Sequence, residues 1–168
     1  TMLRDSRLKS VINPDDENSL SDTLDGYLGH TSDEGSITII DLSLVPSDIK
    51  HLVVSVIGRL VFQALQRHQR DGDNEIPVSF ILEEAHEFIQ RGSDDPSERP
   101  TQTQLCRRVF EKIAREGRKH GLGLILSSQR PTDISQTILS QCNTFLLHRI
   151  VNESDQEYIK SLIPEMHS

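Results

Sequence analysis

Two carboxylates placed side by side at the end of an apolar run are the strongest chemical signal in the sequence: Phe80-Ile81-Leu82-Glu83-Glu84-Ala85-His86. A buried strand ending in acids puts them at the carboxyl edge of a sheet, where open α/β folds bind ligands. Adjacent acids there suit a nucleotide–Mg²⁺ site. One holds the metal through a water, and the next orients and polarises the water that attacks a γ-phosphate. A helix N-terminus that favours acids for dipole reasons would give the same pattern. Glu83 and His86 also form one Glu-x-x-His, but di-iron bundles use that motif twice with two further Glu, and no second copy is present.

Three further groups could carry chemistry. Ser127-Ser128-Gln129-Arg130-Pro131 follows a second apolar run, so Gln129 could hold the same water or report on a γ-phosphate; a strand ending in a turn explains it equally well. Ala114-Arg115-Glu116-Gly117-Arg118-Lys119 ends a helix. Arginines there could stabilise charge on a transferring phosphoryl group, or could simply complement the helix dipole. Asp41 ends its own apolar run and reads as a turn cap.

The elements that must position these residues alternate along the chain. Ile37 to Leu42 is a β-branched run typical of a buried strand. After Pro46-Ser47-Asp48, apolar residues from Ile49 to Leu65 recur at helical spacing, predicting a long amphipathic helix to about Arg70. Val78 to Leu82 is the second strand, and Arg91 to Thr101 a Pro- and charge-rich loop. A helix over about Thr103 to His120 stops at Gly121, and Leu122 to Ser128 makes a third strand. A short helix around Ile134 to Ser140 leads to a fourth strand, Thr144 to His148. The last helix opens with Ser154-Asp155-Gln156-Glu157, a capping-box pattern. Near-continuous apolar strands separated by helices predict a parallel sheet covered on both faces.

Composition narrows the function classes. The chain has 168 residues and a net charge of −8, so as a whole it does not read as a nucleic-acid binder. The acids concentrate early: residues 1–100 hold nine basic and nineteen acidic groups, residues 101–168 nine and seven. Between Arg107 and Arg130 seven basic groups face only Glu111 and Glu116, a local patch suited to phosphate or a partner, or else a solvated helix face. No uninterrupted apolar run approaches the roughly 18 residues of a membrane-spanning helix, and Thr1 to Ser10 carries charges where a signal peptide would be apolar. Cys106 and Cys142 make neither a disulfide framework nor a Cys-x-x-Cys pair, pointing to a reducing compartment.

In this order, ITIIDLS, FILEEAH, KIAREGRKHGLGLILSSQRPTDIS and SQCNTFLLHRIVNESDQ resemble the HerA branch of the HerA/FtsK superfamily of RecA-like ATPases, over about Ile37 to Tyr158. Members of that family are hexameric, ring-shaped, ATP-driven DNA translocases. The resemblance implies an α/β fold, a RecA-like P-loop NTPase with a mostly parallel sheet and helices on both faces. Residues 36–168 would form its C-terminal part, after a polar segment of loops and short helices over 1–35. It implies ATP and Mg²⁺ as cofactors and DNA and further copies of the chain, as a hexamer, as partners. A nuclease or another effector could be a further partner; a cytoplasmic location without a membrane is expected. Glu83 falls on the metal-associated position of the Walker B element, holding Mg²⁺ through a water, and Glu84 on the catalytic glutamate. Gln129 falls on the sensor-type glutamine. Arg115 and Arg118 lie where the family carries arginines that reach a nucleotide across the subunit interface, with Arg130 as a third candidate.

One departure stands out: the sequence contains no G-x-x-x-x-G-K-[ST], so the phosphate cradle, its lysine and the Mg²⁺-holding hydroxyl are missing. Similar proteins carry these upstream, and the family continues beyond Ser168. The expectation is the C-terminal part of a larger ATPase, inactive alone. The alternatives are a non-hydrolysing oligomeric scaffold and a partner-binding α/β domain that holds no nucleotide.

Overall fold

The computed structural model describes residues 37–70, 77–92 and 99–162, so the polar segment 1–35 lies outside the described residues. The backbone divides into two units between Ile40 and Asp41. In the first, Ile37 to Ile40 adopt no helix or strand. All elements named below belong to the second. The strand expected over Ile37 to Leu42 is therefore absent. β-Branched residues favour a strand only where a neighbouring strand takes up their backbone hydrogen bonds. The chain turns instead, with Val45 N–H donating to the Leu42 carbonyl (3.0 Å) and Ser43 N–H to Asp41 Oδ1 (2.8 Å).

Helix α1 (Ser47–Arg70) starts on the Pro46 carbonyl, which accepts from Ile49 N–H at 2.9 Å and Lys50 N–H at 3.1 Å. Its helical spacing buries Val54, Val61, Phe62 and Leu65 and leaves Leu52 and Val56 exposed. By length and composition Ile49–Arg70 is long and apolar enough to cross a membrane, although polar residues interrupt every long apolar run. A core helix meets that criterion equally, and here the buried stripe packs on α2 (Gln102–Glu116). The two helices approach closely at Gly58, where a Cβ would lie 3.1 Å from Phe110 Cζ.

Helix α2 begins one residue earlier than its apolar pattern, because Thr101 caps it. Thr101 Oγ1 accepts from Gln104 N–H (3.2 Å) and Gln104 Oε1 accepts from Thr101 N–H (2.7 Å). It passes into a 3₁₀ turn at Gly117–His120 that ends on Gly121 (φ 74°) and launches β2 (Leu122–Leu126). Strand β2 pairs in parallel with β1 (Val78–Leu82), Val78 opposite Leu122 and Leu82 opposite Leu126. Phe80 reaches from the sheet to Phe110 on α2, ring centroids 5.4 Å apart at 64°. The innermost side chains are Phe110, Ile89, Ile113, Leu122, Ile138 and Cys106.

The fold is thus α/β, with a small parallel sheet whose strands are joined by a helical crossover. Among the described residues the sheet has two strands, and helices do not cover both of its faces: the paired Ile81 and Ile125 are 61% and 50% exposed. The expected strand Thr144 to His148 is irregular chain, with Leu146 exposed, since no strand lies beside it among the described residues. The short α3 (Gln136–Leu139) packs against α2, and α4 (Glu153–Leu162) against the 3₁₀ turn Pro131–Asp133. The expected capping box at Ser154 is not formed. Asn152 Oδ1 caps α4 instead, accepting from Ser154 N–H (3.0 Å) and Ser154 Oγ (2.6 Å).

Candidate functional site

In-register parallel strands bring the segments after Leu82 and Leu126 to one edge of the sheet. Two backbone bonds prolong the ladder there: Ser127 N–H donates to the Leu82 carbonyl (3.0 Å) and Ala85 N–H to the Ser127 carbonyl (2.9 Å). Between these bonds Glu83 and Glu84 leave the strand. Glu84 takes the left-handed conformation (φ 47°, ψ 46°), unique among the described non-glycine residues. Such a conformation costs on the order of 1–3 kcal/mol and persists only where the surroundings enforce it. The enforcement here is the Ala85–Ser127 bond on one side and Glu87 N–H donating to the Glu84 carbonyl (2.8 Å) on the other.

That backbone geometry aims the Glu84 carboxylate at the tip of β2. Gln129 Nε2 donates to Glu84 Oε1 at 2.9 Å, joining residues 45 apart in sequence. The second oxygen, Oε2, is shut off from solvent and makes no hydrogen bond, and His86 Nδ1 lies 3.3 Å from it. His86 Nδ1 also meets Ser128 Oγ at 3.0 Å, and that hydroxyl accepts from Arg130 N–H (3.0 Å). Glu83, one residue earlier, is exposed at the strand tip. Its hard carboxylate oxygens suit a divalent cation that keeps most of its waters. Among the described residues no group of three His, Cys, Asp or Glu stands together, so a cation here would need a ligand's own oxygens and water to complete its shell.

The arginines lie elsewhere. Arg115 is in the last turn of α2 and Arg118 in the 3₁₀ turn that follows, both exposed, and that turn feeds the start of β2. They sit at the amino edge of the sheet, while Glu84 and Gln129 sit at its carboxyl edge. Five strand residues separate the two edges, about 16 Å. Arg130 is on the same edge as Gln129 and loosely faces Asp133 (3.9 Å) with both side chains exposed, a contact of little energetic weight. Asp41 caps its turn through Ser43, whose hydrogen bonds hold its carboxyl below the usual range.

The basic run from Arg107 to Arg130 is less of a surface patch than its composition implies. Arg107 is buried: Nη1 donates to the carbonyls of Gly92 (2.8 Å) and Gln90 (3.3 Å), and Nε faces Glu111 at 3.6 Å. Glu111 in turn accepts from Ser135 Oγ (2.8 Å). Lys112 lies over the Phe62 ring, 5.6 Å from its centroid. This network anchors the chain downstream of the site, and sequence reasoning missed it. The available signal was the i, i+4 spacing of Arg107 and Glu111. It also missed Ser128, whose contact with His86 spans 42 residues.

No protein-family model matches the chain. The DNA double-strand break repair helicase HerA of Pyrococcus furiosus is 32% identical over 152 residues, covering 74% of this chain and 26% of that protein. Its counterpart from Sulfurisphaera tokodaii is 31% identical over 154 residues, covering 84% and 29%. A probable DNA double-strand break repair helicase HerA of Methanocaldococcus jannaschii reaches 43% over 91 residues, 54% of this chain. Over the matched residues the chain belongs to the HerA family. It spans about a quarter of the length of the curated HerA relatives it matches, 26% and 24% of the first two.

Proposed function

We propose that this chain supplies the water-positioning and sensing side of an ATP-hydrolysing site in a HerA-type DNA translocase, as the C-terminal part of a larger polypeptide. The single observation that carries the reading is the Glu84–Gln129 bond across two parallel strand tips, with Glu84 locked in a strained conformation that aims it there. The names of the HerA relatives, DNA double-strand break repair helicases, support DNA as the substrate class of this reading, and the paired strand-tip acids support ATP with Mg²⁺ as its fuel.

MgATP, when bound, supplies the electrophilic phosphorus and neutralises charge on the phosphates. Glu83 would hold the metal through a water. Glu84 would orient the attacking water and accept its proton. Gln129 fixes one carboxylate oxygen by its amide N–H and leaves its own carbonyl oxygen free for the same water. The phosphate cradle is not encoded in these residues and would come from another part of the polypeptide. Arg115 and Arg118, at the opposite end of the strands from Glu84, would act on a neighbouring subunit's nucleotide in a homo-oligomeric ring, a hexamer, located in the cytoplasm and working with a nuclease or another effector.

The test is Glu84→Gln in the full-length protein, measured as DNA-stimulated ATPase. The amide keeps the shape and the ATP affinity but cannot take a proton, so kcat should fall about 10²-fold or more. An unchanged kcat would move the role to Glu83 or remove it from this edge.

A further inference from the structure

In sequence His86 is half of a single Glu-x-x-His pattern, and the proposed function leaves it unused. Its surroundings give it a different part. The inner oxygen of Glu84, Oε2, is excluded from water and makes no hydrogen bond, while the outer oxygen is taken by Gln129. A solvent-excluded carboxylate oxygen without a donor is unfavourable, and native structures supply one when they can. The nitrogen facing it is His86 Nδ1, at 3.3 Å, on a side chain only 18% exposed. The same nitrogen contacts Ser128 Oγ at 3.0 Å.

These two contacts favour a proton on Nδ1. If Ser128 donated to a bare Nδ1, the nitrogen lone pair would also face a carboxylate oxygen, two negative sites 3.3 Å apart. A proton on Nδ1 makes the Ser128 contact a hydrogen bond and the Oε2 contact an electrostatic attraction, Oε2 itself accepting no hydrogen bond. Ser128 can accept it, because its oxygen has two acceptor positions and Arg130 N–H uses one. The imidazole is then a donor lodged between the hydroxyl and the carboxylate, fixed on the Ser128 side and able to lean toward Oε2.

We propose that His86 is a positioning residue for Glu84: its Nδ1, hydrogen-bonded to Ser128, faces the inner carboxylate oxygen at 3.3 Å and restrains it by contact and electrostatic attraction, so that Glu84 presents one defined oxygen and not a rotating pair to the attacking water. The inference rests on the reading of Glu84 as the water-positioning carboxylate. The 3₁₀ turn Ala85–Glu87 makes the arrangement local and stiff, since Glu84 and His86 flank a fully buried Ala85 and both side chains reach the β2 tip. Ser128 belongs to the same device, presenting the hydroxyl against which the imidazole is set.

The experiment compares four substitutions in the full-length protein. His86→Ala and His86→Phe both remove the N–H, but phenylalanine keeps a ring in place. His86→Asn restores an N–H at the position of Nδ1 without the ring. Glu84→Gln sets the reference. Loss of an orienting partner should lower kcat about 10- to 100-fold in the Ala and Phe variants, with KM for ATP changed by less than about twofold. The Asn variant should return to within about threefold of the parent kcat. Adding His86→Ala to Glu84→Gln should cost nothing more, because groups acting as a unit are not additive. Parent-like kcat in the Phe variant, or a loss confined to KM, would overturn the proposal and leave His86 a packing residue; so would a further drop in the double variant. If Glu84→Gln is silent, the parent reading fails and this inference with it. If Glu84→Gln is inactive while all three His86 variants turn over normally, only this inference fails.

Discussion

Burial raises the Cys106 thiol from its usual 9.0 to about 12, because the sulfur is wholly enclosed among the side chains of α2 and its neighbours. Cys142 is half-buried and shifted in the same direction by the same cause. At pH 8 a thiol of pKa about 12 is ionised at only about one part in 10⁴, and the thiolate is the reactive form. Alkylation of the folded protein with iodoacetamide at pH 8 should therefore label Cys142 and spare Cys106 until denaturant is added; equal labelling would mean that α2 opens readily. The folded thiol keeps its proton at pH values where the unfolded one has lost it, so Cys106 opposes unfolding fully below about pH 9 and progressively less up to about pH 12. At this scale the sequence was legible where chemistry is local. Glu83, Glu84 and Gln129 announce themselves by ending apolar runs. His86 and Ser128 do not, because their meaning lies in a 3.0 Å contact between two loops that only the strand register brings together.

Periodicity made α1, α2, β1 and β2 readable at the scale of elements, because each buries its apolar side against another element. Strands were misread over Ile37 to Leu42 and Thr144 to His148 for one physical reason: apolar β-branched composition describes a side-chain environment, whereas a strand exists only with a partner for its backbone. The start of α4 was misplaced because serine and asparagine are both good caps, and the choice of Asn152 over Ser154 depends on where the preceding chain runs. The junction between α2 and β2 offers a sharp test. Gly117 has helical dihedrals (φ −55°, ψ −44°), so alanine fits its backbone and even favours the helix. Its Cβ, however, would lie 2.8 Å from the Leu122 carbonyl oxygen and 3.4 Å from Ile113. Backbone cannot swing aside as a side chain can, so the helix would have to move relative to the sheet. Gly117→Ala should destabilise the protein by about 1–3 kcal/mol in urea denaturation. Unchanged stability would show that the turn Gly117–His120 yields without disturbing α2.

Across the whole molecule, the two edges of the sheet divide the proposed chemistry: Glu84 and Gln129 at one edge, Arg115 and Arg118 at the other, about 16 Å apart. An arginine that stabilises a transferring phosphoryl group must reach its oxygens, and the α2 end cannot deliver one to its own chain's Glu84 without unpairing β1 and β2. Under the proposed function, a phosphoryl role for these arginines would then fall on a neighbouring subunit's nucleotide. An arginine supplied across such an interface is worth roughly 10³–10⁵ in rate where the contribution has been isolated. The competing role is modest: cations at a helix C-terminus complement its dipole by about 0.3–1 kcal/mol, and exposed arginines also hold DNA phosphates in a salt-dependent way. Mixing subunits separates the three. Full-length subunits carrying Arg115→Ala and Arg118→Ala together are blended with Glu84→Gln subunits, each population being inactive alone under the trans reading. Mixed rings then contain some interfaces that pair an intact glutamate with an intact arginine, and ATPase activity should partly return. Action within one subunit permits no such rescue, since every subunit still lacks one essential group. If the arginine variants instead hydrolyse ATP at the parent rate and lose only salt-sensitive DNA binding, the arginines serve the DNA and the assignment to a neighbour's nucleotide is wrong.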